Sequence, residues 1–91
     1  MNKRTHVFIS GRVQGVNFRS NTKIKAEFFK VKGWVKNLDD GRVEAIFEGE
    51  ENCIVQLLKW CKIGPPDSLV TSVEFYDESC YEYFKNFSIL R

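Results

Sequence analysis

The sequence predicts an α+β fold in which two helices lie on one face of an antiparallel sheet of four to five strands, in the order βαββαβ. Three observations carry this expectation. Apolar and polar residues alternate over residues 5–13 and again over 42–48. A stripe at helical spacing, Ile54, Leu57, Leu58 and Cys61, follows the acidic pair Glu50-Glu51. Turn residues, Asp39-Asp40-Gly41 and Gly64-Pro65-Pro66, stand where elements should end.

The first strand is read over residues 5–13, with Val7, Ile9 and Val13 on one face, His6, Ser10 and Arg12 on the other, and Phe8 breaking the alternation. A glycine-containing loop follows. Beyond Arg19, one of Ser20, Asn21 or Thr22 is expected to cap a helix with Ile24, Phe28 and Val31 on its inner face. Gly33 closes that region, and residues 33–38 form a short strand joined by the Asp-Gly turn to its hairpin partner at 42–48. That partner turns Val43, Ala45 and Phe47 to one face and Arg42, Glu44, Ile46 and Glu48 to the other. Glu50 and Glu51 complement the positive end of the second helix, and Gly64-Pro65-Pro66 stops it. Two strands remain, 69–76 with Thr71, Val73 and Phe75 inward, and 84–90 with Phe87 and Ile89 inward. This order is the split β-α-β, or ferredoxin-like, plan.

The 91 residues suffice for one domain over their whole length, 1–91, and 43% hydrophobic content with eight Phe, three Tyr and two Trp fills a single core. Fourteen basic against twelve acidic residues, dispersed along the chain, give no bulk charge for a nucleic acid or a membrane surface. Three cysteines, Cys53, Cys61 and Cys80, fit neither a paired disulfide framework nor zinc-ligand spacing. Cys53 and Cys61 on one helix would stand about 12 Å apart, beyond the roughly 7 Å that a disulfide spans. Reduced thiols and the lack of a leader-like or membrane-spanning apolar run point to a cytoplasmic setting. His6 has no second ligand candidate nearby in sequence, so no metal is expected.

The chemistry is concentrated between the first strand and the first helix, in Gly11-Arg12-Val13-Gln14-Gly15-Val16-Asn17-Phe18-Arg19. A strand-to-helix junction gathers backbone N–H groups, its glycines permit close approach of an anion, and Arg19 offers a planar pair of donors matched to phosphate or carboxylate oxygens. By itself the same stretch also fits a tight turn with a solvated arginine, and Asn37 fits a polar residue ending a strand before a turn.

The stretch from Gly11 to Arg19 resembles the acylphosphatase signature, glycine-x-valine-glutamine-glycine-valine-x-phenylalanine-arginine, at every fixed position. Gly33-Trp34-Val35-Lys36-Asn37-Leu38-Asp39-Asp40-Gly41-Arg42-Val43-Glu44, followed by Glu48-Gly49, is similar to that family's second signature. The resemblance extends over nearly the whole chain. It implies that Arg19 and the amides of Gly11, Arg12, Val13, Gln14, Gly15 and Val16 bind a phosphoryl group, and that Asn37 holds the attacking water. It further implies a small-molecule acyl phosphate as substrate, with no cofactor called for; a monomer is the default state. Lys36 and Arg42 flank the site in sequence, and Thr22 is placed to back the arginine or to cap the helix. Two positions depart from the family's usual pattern: Asn17 stands where an aromatic or glycine is common, and Lys30 where a glycine usually closes the first helix.

Two readings compete on the same fold. An RNA-binding module would display aromatics on its central strands, whereas the outward set Arg42, Glu44, Ile46 and Glu48 is aromatic-free and partly acidic. A regulatory domain that kept the anion site without turnover is the other.

Overall fold

The structure, a computed structural model, describes residues 2–79 and 84–90. Its elements are β1 (Asn2–Arg12), α1 (Phe18–Phe28), β2 (Lys32–Asn37), β3 (Val43–Glu50), α2 (Glu51–Ile63), β4 (Leu69–Glu78) and β5 (Phe87–Ile89). The five strands form one sheet in the order β4-β1-β3-β2-β5, and both helices pack on one face. This is the expected ferredoxin-like sandwich.

The expected antiparallel pairing holds for β1 with β3, β1 with β4, and β2 with β3, but β5 runs parallel to β2. The reason is directional. β4 runs the same way as β3, so a chain that reverses after β4 and returns to the far edge must run alongside β2. β5 is also shorter than expected, and Ile89 is only partly covered.

The core lies between the helices and the inner row of the sheet, with Val7, Ile9, Val35, Val43, Ala45, Phe47 and Phe87 from the strands. α2 buries Ile54, Leu57, Leu58 and Cys61, the stripe read from the sequence. α1 departs from expectation. It starts at Phe18, so Arg19 lies inside its first turn, and its buried residues are Phe18, Thr22 and Ala26, spaced by four. Ile24 and Phe28 are 61% and 75% exposed, and Val31 is buried only after the helix has ended. The apolar pattern misleads here because the inward phase is set by bulky Phe18, while Thr22 is buried at low cost by donating its hydroxyl to the Phe18 carbonyl at 2.7 Å. Ser20 and Asn21 likewise lie within the helix and cap nothing; the Asn21 side chain donates to the Asn17 carbonyl at 2.8 Å.

In β4 the pairing to β1 shifts between Ser10 and Gly11, leaving Thr71 bulged and exposed. Val70 and Val73 meet the core in place of Thr71 and Val73. Phe75 has the inward parity expected of it but is 48% exposed at this edge strand, where it borders a shallow hollow with Ile54, Val55 and Leu58 of α2.

The outer face is less open than a two-layer plan suggests. Ile46 sits between His6 and Trp34 in one cross-strand row and is buried, as is Glu48. β3 itself carries no outward aromatic, as read, but its neighbours do: His6 stacks on Phe8 at 4.6 Å, with Trp34 and Tyr76 edge-on to that pair. His6 also contacts Glu44 at 2.6 Å and Glu78 at 3.1 Å, so it sits in mid-sheet between two carboxylates. Among the described residues no helix is long and apolar enough to cross a membrane. Cys53 and Cys61 are unbridged, while Cys80 lies outside the described residues.

Candidate active site

The register of the sheet brings the two motifs together. Asn37 stands opposite Val43 at the last rung of the β2–β3 ladder, and Val43 stands opposite Ile9 near the end of β1. Asn37 therefore has the parity of buried Val35 and faces the helix layer, at the sheet end from which the β1–α1 loop departs. Arg19 enters from above, in the first turn of α1.

Between them lies a hollow of about 180 Å³ lined by Val13, Gly15, Asn17, Phe18, Arg19, Ser20 and Asn37. Its chemistry follows from three local facts. First, α1 has no side-chain cap and no acidic residue in its first turn, so the leading N–H groups and the positive end of the helix are left for a ligand. Second, Arg19 is half-buried and, among the described residues, donates only from Nη1 to the Leu90 carbonyl at 3.4 Å, a long bond that leaves its other donors for a ligand. Third, Asn37 Oδ1 is buried and has no hydrogen-bond partner among the described residues. Arg19, the start of α1 and Asn37 border one small volume. Among the described residues the lining contains no carboxylate, imidazole or thiol.

The acylphosphatase family profile matches residues 5–89. An acylphosphatase of Roseiflexus sp. is 48% identical over 87 residues, covering 96% of this chain and 94% of its own. One from Rubrobacter xylanophilus is 54% identical over 76 residues, covering 84% and 69%. The chain belongs to the acylphosphatase family. The crystal structure of acylphosphatase from Bacillus subtilis superposes with a TM-score of 0.94 at 40% identity over all of both chains.

Not every residue of the acylphosphatase-like loop reaches the hollow. Gly11 and Arg12 belong to β1 and pair with Val70 and Leu69 of β4. Gly11 has φ 122° and a side chain there would collide with the Leu69 carbonyl, so this glycine serves the bulged strand. Gly15 differs: its φ is 74°, and a Cβ would meet nothing within 4 Å. Val13 and Gly15 line the hollow, Val16 packs against the core, and the Gln14 side chain turns to the β2–β3 turn. Thr22 neither backs Arg19 nor caps, being bonded one turn back to Phe18. Lys36 and Arg42 are engaged elsewhere, Lys36 with Glu44 at 3.6 Å and Arg42 with Asp40 at 2.8 Å.

Asn17 and Ser20 line the hollow, although the sequence offered one only as a departure from the family pattern and the other only as a possible cap. Asn17 holds φ 63°, a left-handed conformation that asparagine accepts more readily than most residues, and this was the available signal. A second hollow, about 580 Å³, opens at the opposite end of β1 and β3 and includes Lys30, Lys32, Glu48 and Glu50. It contains none of the loop residues.

Proposed function

We propose that this protein hydrolyses the carboxyl–phosphate bond of a small acyl phosphate to carboxylate and inorganic phosphate. Arg19 and main-chain amides of the stretch 13–19 hold the phosphoryl group, and Asn37 holds the attacking water. The observation that carries the reading is the meeting of Arg19 and Asn37 across one 180 Å³ hollow at an uncapped helix start.

The chemistry asks little more of the protein. Phosphoryl transfer passes through a loose transition state with charge spread over the equatorial oxygens, so positioning and electrostatic stabilisation supply most of the catalysis. The leaving group is a carboxylate whose conjugate acid has a pKa of about 4, so no general acid is required. A water hydrogen-bonded to the Asn37 side-chain amide is oriented at phosphorus, and a phosphate oxygen of the substrate takes its proton. A lining without carboxylate or imidazole fits an activated substrate better than a phosphate monoester. The reading calls for no cofactor or metal. The reading takes the monomer as its default working unit and a cytoplasmic setting, the simplest one for three cysteines without a pairing pattern.

Hydrolysis of benzoyl phosphate by the wild type, Arg19→Ala and Asn37→Ala tests the reading. The wild type should turn over, and each variant should lose about a hundredfold or more in kcat. Arg19→Ala should also lose affinity for inorganic phosphate, which Asn37→Ala should keep. Turnover surviving in both variants would refute the assignment, and a wild type that binds phosphate without turnover would identify a regulatory domain.

A further inference from the structure

The two halves of the hollow are not neighbours in the sheet. The phosphate-side loop leaves β1, Asn37 ends β2, and β3 lies between them, so the halves are about 10 Å apart in the strand-to-strand direction. A displacement of an ångström between a bound phosphate and its attacking water can cost a hundredfold in rate, so something must fix this span.

One side chain crosses it. Gln14 Nε2 donates to the Leu38 carbonyl at 2.7 Å and to the Arg42 carbonyl at 3.0 Å. Leu38 immediately follows Asn37, and its own N–H donates to the same Arg42 carbonyl at 2.8 Å. Both hydrogens of the Gln14 amide are thus used, and Leu38, the residue next to Asn37, is held at both its N–H and its carbonyl. The tie starts beside Gly15, which lines the hollow, and closes over the end of β3.

We propose that the Gln14 side chain is a positioning residue, which fixes the loop holding the phosphate relative to Asn37 and so sets the distance between phosphorus and the attacking water. The inference rests on the proposed function above. It assigns to Gln14 a role distinct from anion binding through the loop amides.

The test uses Gln14→Met, which keeps length and apolar volume but has no donor, and Gln14→Glu, which keeps the shape but turns an acceptor toward two carbonyls. With benzoyl phosphate, kcat should fall at least about tenfold in both, while inhibition by inorganic phosphate changes less than about twofold. In an Asn37→Ala background, Gln14→Met should add little further loss, because the tie acts through Asn37. A kcat within about twofold of wild type would overturn the proposal. So would an undiminished effect in the Asn37→Ala background, or a parallel loss of phosphate affinity, which a packing defect produces. Should the variants fail to fold, the wild type still decides: the Gln14 side-chain amide protons should be protected from solvent exchange by NMR, and free exchange would overturn the tie. If Arg19→Ala and Asn37→Ala keep their turnover, the functional reading has failed; if they lose it and Gln14→Met does not, only this inference has.

Discussion

Asn37 and Val43 face each other at the last rung of the β2–β3 ladder, a polar residue closing a row that is otherwise apolar through Val43 to Ile9. The position is unfavourable for stability alone, since a buried acceptor without a partner costs on the order of 1–3 kcal/mol. Asn37→Leu, which keeps the branched shape, should therefore melt at the same temperature as wild type or higher. Its turnover of benzoyl phosphate should fall about a hundredfold or more. A clearly lower midpoint would assign Asn37 a structural duty instead.

The phase of α1 makes a second prediction. Ile24 is 61% exposed, whereas Ala26 is fully buried against the sheet. Ile24→Glu should change stability by no more than about 0.5 kcal/mol, as surface substitutions do. Ala26→Glu must bury a carboxylate without a partner, and should cost several kcal/mol or prevent folding. Denaturant unfolding of the two variants checks the order. A larger loss from Ile24→Glu would restore the helix face that the apolar pattern suggests.

The contrast between the two helices explains what could be read from the residues. α2 has an apolar stripe of large residues and a Gly-Pro-Pro stop, and both its face and its end are legible. In α1 the inward residues include a threonine and an alanine, and the threonine is tolerated only through a bond to its own helix that no hydropathy pattern displays. The bulge at Thr71 was hidden for a similar reason, because it arises from the pairing of β4 with Gly11 and not from β4 itself. Arg19 and Asn37 were recognisable from the motifs. That Gly11 and Arg12 belong to the strand, and that Gln14 reaches the β2–β3 turn, depend on long-range register that local sequence does not encode.

Asp40 supplies a pH dependence. Its carboxylate accepts the Arg42 backbone N–H at 3.1 Å and the Arg42 Nε at 2.8 Å, and these bonds hold its pKa below the ordinary value. A depressed carboxyl favours the folded state above its unfolded pKa of about 4, and that advantage is lost as pH falls through the folded value. Asp40→Ala should thus be less stable than wild type at neutral pH, with the gap closing as the solution is taken below about pH 4. Thermal midpoints of both proteins across that range measure it. A gap independent of pH would show that the turn is held by something other than the ionised carboxylate.

Lys30 offers the opposite kind of substitution, one that should stabilise. It closes α1 with φ 59°, where its N–H donates to the Glu27 carbonyl at 3.2 Å and the following Val31 N–H reaches back to Ala26 at 2.7 Å. A residue with a Cβ costs about 1 kcal/mol in this left-handed region, and glycine avoids that cost while losing part of the gain to its freer unfolded chain. Lys30→Gly should therefore raise the midpoint by up to about 4–8 °C, the shift that 1 kcal/mol produces in a domain of this size. Lys30→Ala, which removes the charge but keeps the Cβ, should show no such rise. Benzoyl phosphate turnover should be unaffected in both, because Lys30 lies beyond the C-terminal end of the helix whose first turn holds Arg19. An equal rise in both variants would trace the effect to the lysine charge and not to the backbone.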